Sequence, residues 1–252
     1  MRNARRAEHG PAHGPGSLGE LRIGFGFKTG VSGAHTARTL MLADLTALLA
    51  IAPREAGRAQ FGWLIVEENV LGKRTASNRR LTTRHLTDLY ALDPGVAVFR
   101  LLRRFWDLDA AGRPLLALLC AQARDALFRL SASKVLESKP GDVLTSADFV
   151  DFLNHEVPGR FGEAMTLSLA QNVAASWAQA GFLKGRVRKV RARAVATPAC
   201  AAYALVLGYL CGLRGQVLRP QRGGEDRGEA GVCPSGCRSG CGGGCSGRLG
   251  RF

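Results

Sequence analysis

Apolar residues recur at helical spacing through most of the middle of the chain, and the alternation of apolar and polar residues that marks a strand is scarce. We therefore predict a mainly α chain. The predicted helices cover 34–52, 54–71, 77–92, 96–108, 114–130, 146–157, 163–182 and 198–212.

Between 145 and 198, two predicted helices precede an extended, basic segment. Thr145 stands where it can cap the first helix, and Pro158-Gly159 ends that helix. The second helix presents Val173 and Trp177 to the core. Its other face carries small uncharged polar residues, and Gln and Asn can each make a bidentate contact to adenine in the major groove. An ordinary solvent-exposed helix face is the alternative interpretation. The candidate base-reading residues are Ser168, Gln171 and Asn172.

The segment that follows, KGRVRKVRAR over 184–193, has six basic residues and no acidic one. Its valines and alanines are spaced for a short β-hairpin with outward-facing charges. Helix, turn, helix and basic hairpin form the arrangement of a winged helix-turn-helix, whose second helix enters the major groove while the wing lies along phosphates. A basic loop joining two bundle helices is the alternative. The candidate phosphate contacts are Lys184, Arg186, Arg188, Lys189, Arg191 and Arg193.

A second basic cluster occurs earlier, in GKRTASNRRLTTRH. On a helix that starts near Ser77, Arg80 and Arg84 lie one turn apart on the same side. Taken alone, the cluster is typical of a solvated helix face. Beside the hairpin it predicts a wider phosphate-binding surface, which we call the 73–84 cluster: Lys73, Arg74, Arg79, Arg80 and Arg84.

Composition shifts along the chain predict four parts: a disordered leader 1–20, an N-terminal helical domain 21–140, the winged-helix-like segment and closing helix 141–215, and a disordered tail 216–252. The fold class that follows is a helical bundle containing a winged helix-turn-helix-like segment. The tail is rich in Gly, Arg and Cys. Three interpretations stay open for it: a flexible basic tail, a metal- or nucleic-acid-binding arm, or an out-of-frame translation that begins near Gly215.

The chain is strongly basic, with 35 Lys and Arg against 20 Asp and Glu and a formal net charge of +15. Residues 1–20 contribute +1 of this charge and residues 216–252 contribute +3. The middle of the chain therefore carries +11. This excess favours a polyanionic partner. The longest uncharged apolar stretch, 199–213, is too short to span a membrane, and the N-terminus lacks a secretory signal, so we expect a cytoplasmic protein with no membrane partner.

No arrangement of residues predicts an enzyme, a cofactor or a metal site. GFGFKTG at 24–30 has the glycines and lysine of a phosphate-binding loop but not their spacing. The histidines are scattered, and Cys120, Cys200 and Cys211 lie singly in apolar segments, where a free thiol behaves as a small hydrophobe. We expect a non-catalytic protein.

Three stretches carry a family resemblance: KTGVSGAHTARTLMLADL, VEENVLGKRTASNRR, and LAQNVAASWAQAGFLKG followed by basic residues and TPACAAYAL. Over roughly 25–212 the chain resembles the BrxA family of bacteriophage-exclusion (BREX) defence systems. The resemblance implies a small helical protein with a winged-helix-like part that binds DNA. It places the family's second-helix asparagine at Asn172, with Gly181 and Leu183 closing that helix. The basic wing then consists of Lys184, Arg186, Arg188 and Lys189.

The chain departs from the family in having Thr166 and Ser168 where more positive charge is expected, and its tail has no recognised counterpart. The expected partners are double-stranded DNA and other phage-defence subunits. A helical adaptor that binds only proteins is the alternative. RNA binding is disfavoured, because the basic clusters have no interleaved aromatic residues to stack unpaired bases.

Overall fold

The computed structural model describes residues 18–30 and 33–211. All of the described residues belong to one compact unit. The predictions for the leader before residue 18 and for the tail, including its four cysteines, fall outside the described residues.

The described chain is mainly helical, as predicted, and carries a small antiparallel sheet of three strands. The α-helices are α1 (Leu18–Phe25), α2 (Leu42–Ile51), α3 (Arg58–Val66), α4 (Ala76–Tyr90), α5 (Ala97–Leu108), α6 (Arg113–Arg124), α7 (Ala126–Leu130), α8 (Ala132–Leu136), α9 (Ser146–Glu156), α10 (Glu163–Gln179) and α11 (Pro198–Leu210). A 3-10 helix spans Ala34–Thr36, and the strands are β1 (Val143–Leu144), β2 (Leu183–Lys184) and β3 (Lys189–Arg191).

Two predicted helices are interrupted for local reasons. The helix predicted over 34–52 begins only at Leu42, after the 3-10 helix. The helix predicted over 114–130 breaks at Asp125, whose carboxylate accepts the N–H of Phe128 and caps α7. The same carboxylate accepts bonds from His35, so the break serves a long-range contact that periodicity cannot reveal.

The sheet joins the hairpin to the strand that precedes α9. Its order is β1-β3-β2, with Val143 opposite Val190 and Leu183 opposite Arg191. The sequence predicted the hairpin but not β1, which has only two residues. Gly185 begins the hairpin turn at φ +107°, and a Cβ there would collide with the carbonyl of Arg188. The turn therefore requires glycine.

Helix α10 lies at the centre of this part of the fold. It packs against α9, the 3-10 helix, β2 and α6. Leu169, Val173 and Trp177 are at most 1% exposed, which confirms the predicted core face. Thr145 caps α9 and forms a capping box with Asp148, whose pKa falls below its usual value because Thr145 donates to it from both hydroxyl and backbone. Among the described residues, no helix has the length and apolar character needed to cross a membrane.

Candidate nucleic-acid interface

The hairpin and its flanks, residues 183–193, carry several exposed cations, and we call this segment the basic hairpin. Lys184, Arg186, Arg188 and Arg193 are exposed, and Val187 at the turn is 80% exposed. Since the segment contains no carboxylate, its positive charge is not balanced within it. Exposed cationic side chains of this kind suit contacts to a line of phosphates.

Two basic residues of the hairpin contribute to its structure. Lys189 Nζ donates to the carbonyl of Arg186 at 3.1 Å, which steadies the turn. Arg191 is half-buried: its Nε donates to the carbonyl of Val135 at 2.8 Å, its Nη1 to that of Phe182 at 3.3 Å, and its guanidinium lies 5.0 Å from the Phe182 ring centroid. Arg191 thus ties the hairpin to α8 and to the turn between α10 and β2.

The outward face of α10 is uncharged after its first turn. Ser168 and Gln171 are exposed on it, as predicted for a polar face. Met165 and Leu167 are 49% and 45% exposed beside them. This mixture of amide, hydroxyl and apolar groups can hydrogen-bond base edges and contact thymine methyl groups.

The third candidate on α10, Asn172, turns towards the protein. Its Nδ2 donates to the carbonyl of His35 at 2.9 Å, and Gln179 further along the helix is bonded to Thr39 and to the N–H of Leu42. A bidentate contact to adenine needs both the oxygen and the nitrogen of the side-chain amide. In this conformation the Asn172 amide joins α10 to the 3-10 helix, a role that the helical periodicity does not distinguish from base reading.

The 73–84 cluster divides into exposed and half-buried side chains. Arg74, Arg80 and Arg84 are exposed and have no ion pair among the described residues. Lys73 instead pairs with Asp44 at 2.8 Å, and the Nε of Arg79 is buried. The exposed members leave three cations for an external anion.

Helix α5 contributes a basic surface that the sequence reasoning did not single out. A cavity of about 540 Å³ is lined by Arg54, Arg100, Arg103 and Arg104. Arg54 pairs with Asp107 at 3.2 Å, and Arg103 is buried with bonds to the carbonyls of Leu49 and Ala52. The sequence RLLRR within α5 is the signal that could have drawn attention to it.

A buried chain of hydrogen bonds joins three distant segments. His35 Nδ1 lies 2.8 Å from Asp125 Oδ2, and Nε2 lies 3.0 Å from Ser176 Oγ. Ser176 Oγ accepts the N–H of Leu40 and donates its proton to the carbonyl of Asn172. Because the Ser176 hydroxyl proton is directed to Asn172, the Ser176 oxygen is left to accept hydrogen bonds.

These contacts resemble those of a Ser-His-Asp triad. Ser176 and His35 are 0% exposed and Asp125 is 1% exposed, so no substrate can reach the hydroxyl. Its proton is also directed to a backbone carbonyl. Helical periodicity gave no indication of this network, because His35 is 90 residues from Asp125 and 141 residues from Ser176 in the sequence.

The described cysteines are free and do not form a metal site. Cys120 and Cys200 are buried, as expected for apolar packing, and Cys211 is half-buried. Burial raises the pKa of Cys120 to about 12, so its thiol stays protonated. Within 18–30 and 33–211, no three His, Cys, Asp or Glu side chains are grouped to hold a metal ion.

The chain matches no protein-family model and no curated protein. The BrxA resemblance therefore stays a prediction drawn from the sequence stretches quoted above.

Proposed function

We propose that this chain is a non-catalytic protein that binds duplex DNA through the basic hairpin and the outward face of α10. The observation that carries the proposal is the hairpin itself, which follows α10 directly and exposes Lys184, Arg186, Arg188 and Arg193 with no carboxylate between them. Phosphate contacts of this kind supply affinity without sequence information.

The order of elements supports this docking. A strand, two helices and a hairpin follow one another as β1, α9, α10, β2 and β3, with β1 paired to β3. We infer from this order a winged helix-turn-helix-like segment, and in such domains the second helix enters the major groove. With Asn172 engaged internally, Ser168 and Gln171 are the polar side chains free to meet base edges, so we expect weak sequence preference.

The 73–84 cluster extends the proposed surface. Arg84 and the turn before α10, at Arg160, line a common cavity, which brings α4 close to the start of α10. Arg80 is one helical turn from Arg84 on the same side. These cations are suited to contact phosphates beyond those reached by the hairpin.

The proposal is tested with a labelled duplex and fluorescence anisotropy at low salt. Replacing Arg186 and Arg188 with alanine should weaken binding about tenfold or more, because each exposed guanidinium makes a charge-assisted contact. The matched control replaces Arg100 and Arg104 with alanine. This change removes the same charge from α5. Equal loss in both variants would show that net charge alone, and not the hairpin, determines binding.

A helical adaptor that binds other proteins is the second candidate. It is favoured by the exposed apolar side chains Met165 and Leu167, which flank Ser168 and Gln171 on opposite edges of the exposed face of α10. Protein docking through this face would survive the Arg186 and Arg188 substitutions but fail when Met165 and Leu167 become serine. An absence of duplex binding at low salt, with a co-purifying protein partner, would favour the adaptor.

Membership of a phage-exclusion system rests on the BrxA resemblance. The gene neighbourhood tests it: a methyltransferase, an ATPase and a phosphatase-like gene beside this one would support a defence role. Their absence would leave the DNA-binding proposal intact but remove its defence context.

A further inference from the structure

A second cationic site lies away from the basic hairpin, in a cavity of about 310 Å³ between the 3-10 helix, α4, α6 and the turn before α10. Its charged and aromatic lining residues are Lys28, Arg84, His85, Asp88, Arg124, Arg160 and Phe161. Residues from four separate parts of the chain thus converge on it.

Positive charge in the cavity lining exceeds negative charge. The one lining carboxylate, Asp88, pairs with Lys28 at 2.9 Å. Arg124 donates to the carbonyls of Gly26, Thr87 and Asp88 and is held in place by them. Arg84 and Arg160 have no ion pair among the described residues. An anion would neutralise this excess.

His85 provides an independent indication of a ligand. The residue is only 6% exposed, yet neither ring nitrogen has a hydrogen-bond partner among the described residues. Burial, reinforced by the charges of Arg38 and Arg84 and opposed by Asp88, lowers its pKa and so favours the neutral form of the ring. A neutral imidazole keeps one N–H to donate, and buried donors normally have an acceptor.

We propose that this cavity binds a phosphate group. Arg84 and Arg160 donate to its oxygens, His85 donates a ring N–H, and Lys28 and Arg124 add positive charge. Arginine side chains recognise phosphate through paired N–H donors, and the number of cations suits a group with more than one anionic oxygen. The group belongs either to a DNA backbone or to a free phosphate compound.

The direct test titrates the full chain with inorganic phosphate. The phosphate replaces chloride, so that the ionic strength stays constant. Calorimetry should show saturable binding at one site, and NMR should show a change in the His85 ring signals. Replacing both Arg84 and Arg160 with methionine should weaken binding about tenfold or more. His85→Phe, which keeps the ring volume, should also weaken it while preserving the melting temperature.

The control is Arg100→Met with Arg104→Met in the cavity beside α5, which removes the same charge from another arginine-lined site. That variant should bind phosphate as the unaltered chain does. A lack of saturable binding would overturn the proposal. Equal weakening of phosphate binding in the control would also overturn it. Unchanged phosphate binding in both the Arg84 and Arg160 double variant and His85→Phe would do the same.

A competition measurement distinguishes the two sources of phosphate. If the site holds a DNA phosphate, inorganic phosphate displaces labelled duplex more strongly than chloride of equal ionic strength, and Arg84→Met with Arg160→Met weakens both ligands. If it holds a free compound, inorganic phosphate binds but displaces labelled duplex no more than chloride of equal ionic strength does. Because phosphate binding is measured without DNA, its outcome is separable from the DNA-binding proposal.

Discussion

Ser176 is the residue on which the buried connection between the 3-10 helix and α10 depends. Its single oxygen satisfies the N–H of Leu40, the ring of His35 and the carbonyl of Asn172. Asn172 then returns a bond to the carbonyl of His35. His35, Leu40 and Ser176 are fully buried, so their polar groups need these partners, and the network favours one arrangement of the two elements.

Ser176→Ala should lower the free energy of unfolding by about 2 to 3 kcal/mol, because it leaves buried donors without an acceptor. Urea denaturation followed by circular dichroism measures the change. Ser168→Ala is the matched control, on the exposed face of the same helix, and should change stability by less than about 0.5 kcal/mol. Similar effects of the two substitutions would contradict the role assigned to the network.

Asp125 should make stability depend on acid pH. Burial acts to raise the pKa of this carboxyl, but the hydrogen bond and charge of His35, with the N–H groups of Phe128 and His35, together hold it below its usual value. Because the pKa of Asp125 is lower in the folded chain than in the unfolded chain, its ionised form stabilises the fold. This stabilisation is present above the unfolded-chain pKa of about 3.9 and is lost as pH falls through the folded-chain pKa.

The measurement compares the free energy of unfolding of the unaltered chain and of Asp125→Asn as pH is lowered below about 5. The unaltered chain should lose stability more steeply than the variant. Parallel curves would show that Asp125 does not contribute to the acid dependence.

At the scale of elements, the basic hairpin needs an anchor as well as exposed charges. Arg191→Met should lower the free energy of unfolding by about 1 to 3 kcal/mol, because it removes bonds to the carbonyls of Val135 and Phe182 and a cation–π contact. Arg193→Met removes the same charge at an exposed position and should be near neutral. Thermal melting compares them, and equal melting temperatures would contradict the anchoring role.

The helices and the hairpin were predictable because periodicity and charge are local properties of the sequence. Helix α9 was located to within a residue, since Thr145 and Asp148 form a capping box that short-range spacing reveals. Strand β1 was missed because two residues paired to β3 have no local signature. The break at Asp125 was missed because its cause lies 90 residues away, at His35.

The candidate site was predictable only as far as exposure follows from sequence. Arg186, Arg188 and Gln171 are exposed as the amphipathic pattern predicts. The pattern could not separate Arg191 or Asn172 from them, because both turn inward to carbonyls brought near by tertiary folding. Long-range hydrogen bonds determine which polar residues remain available to a ligand.

Among the described residues, the positive excess is distributed over several surfaces, two of which share Arg84. The basic hairpin, the 73–84 cluster, the α5 arginines and the cavity at His85 each expose cations. A chain with this distribution attracts any polyanion at low salt, so affinity by itself does not identify a binding surface. The contribution of the hairpin therefore has to be separated from the attraction that the remaining positive charge exerts on any polyanion.

The dependence of duplex affinity on salt tests duplex binding through the hairpin most directly. Each phosphate contact adds about 0.9 to the slope of the logarithm of the binding constant against the logarithm of salt concentration. We predict that Arg186→Ala with Arg188→Ala reduces this slope by about 1.8, while Arg100→Ala with Arg104→Ala leaves it unchanged. An unchanged slope in the hairpin variant, or no duplex binding by the unaltered chain at low salt, would contradict the proposed function.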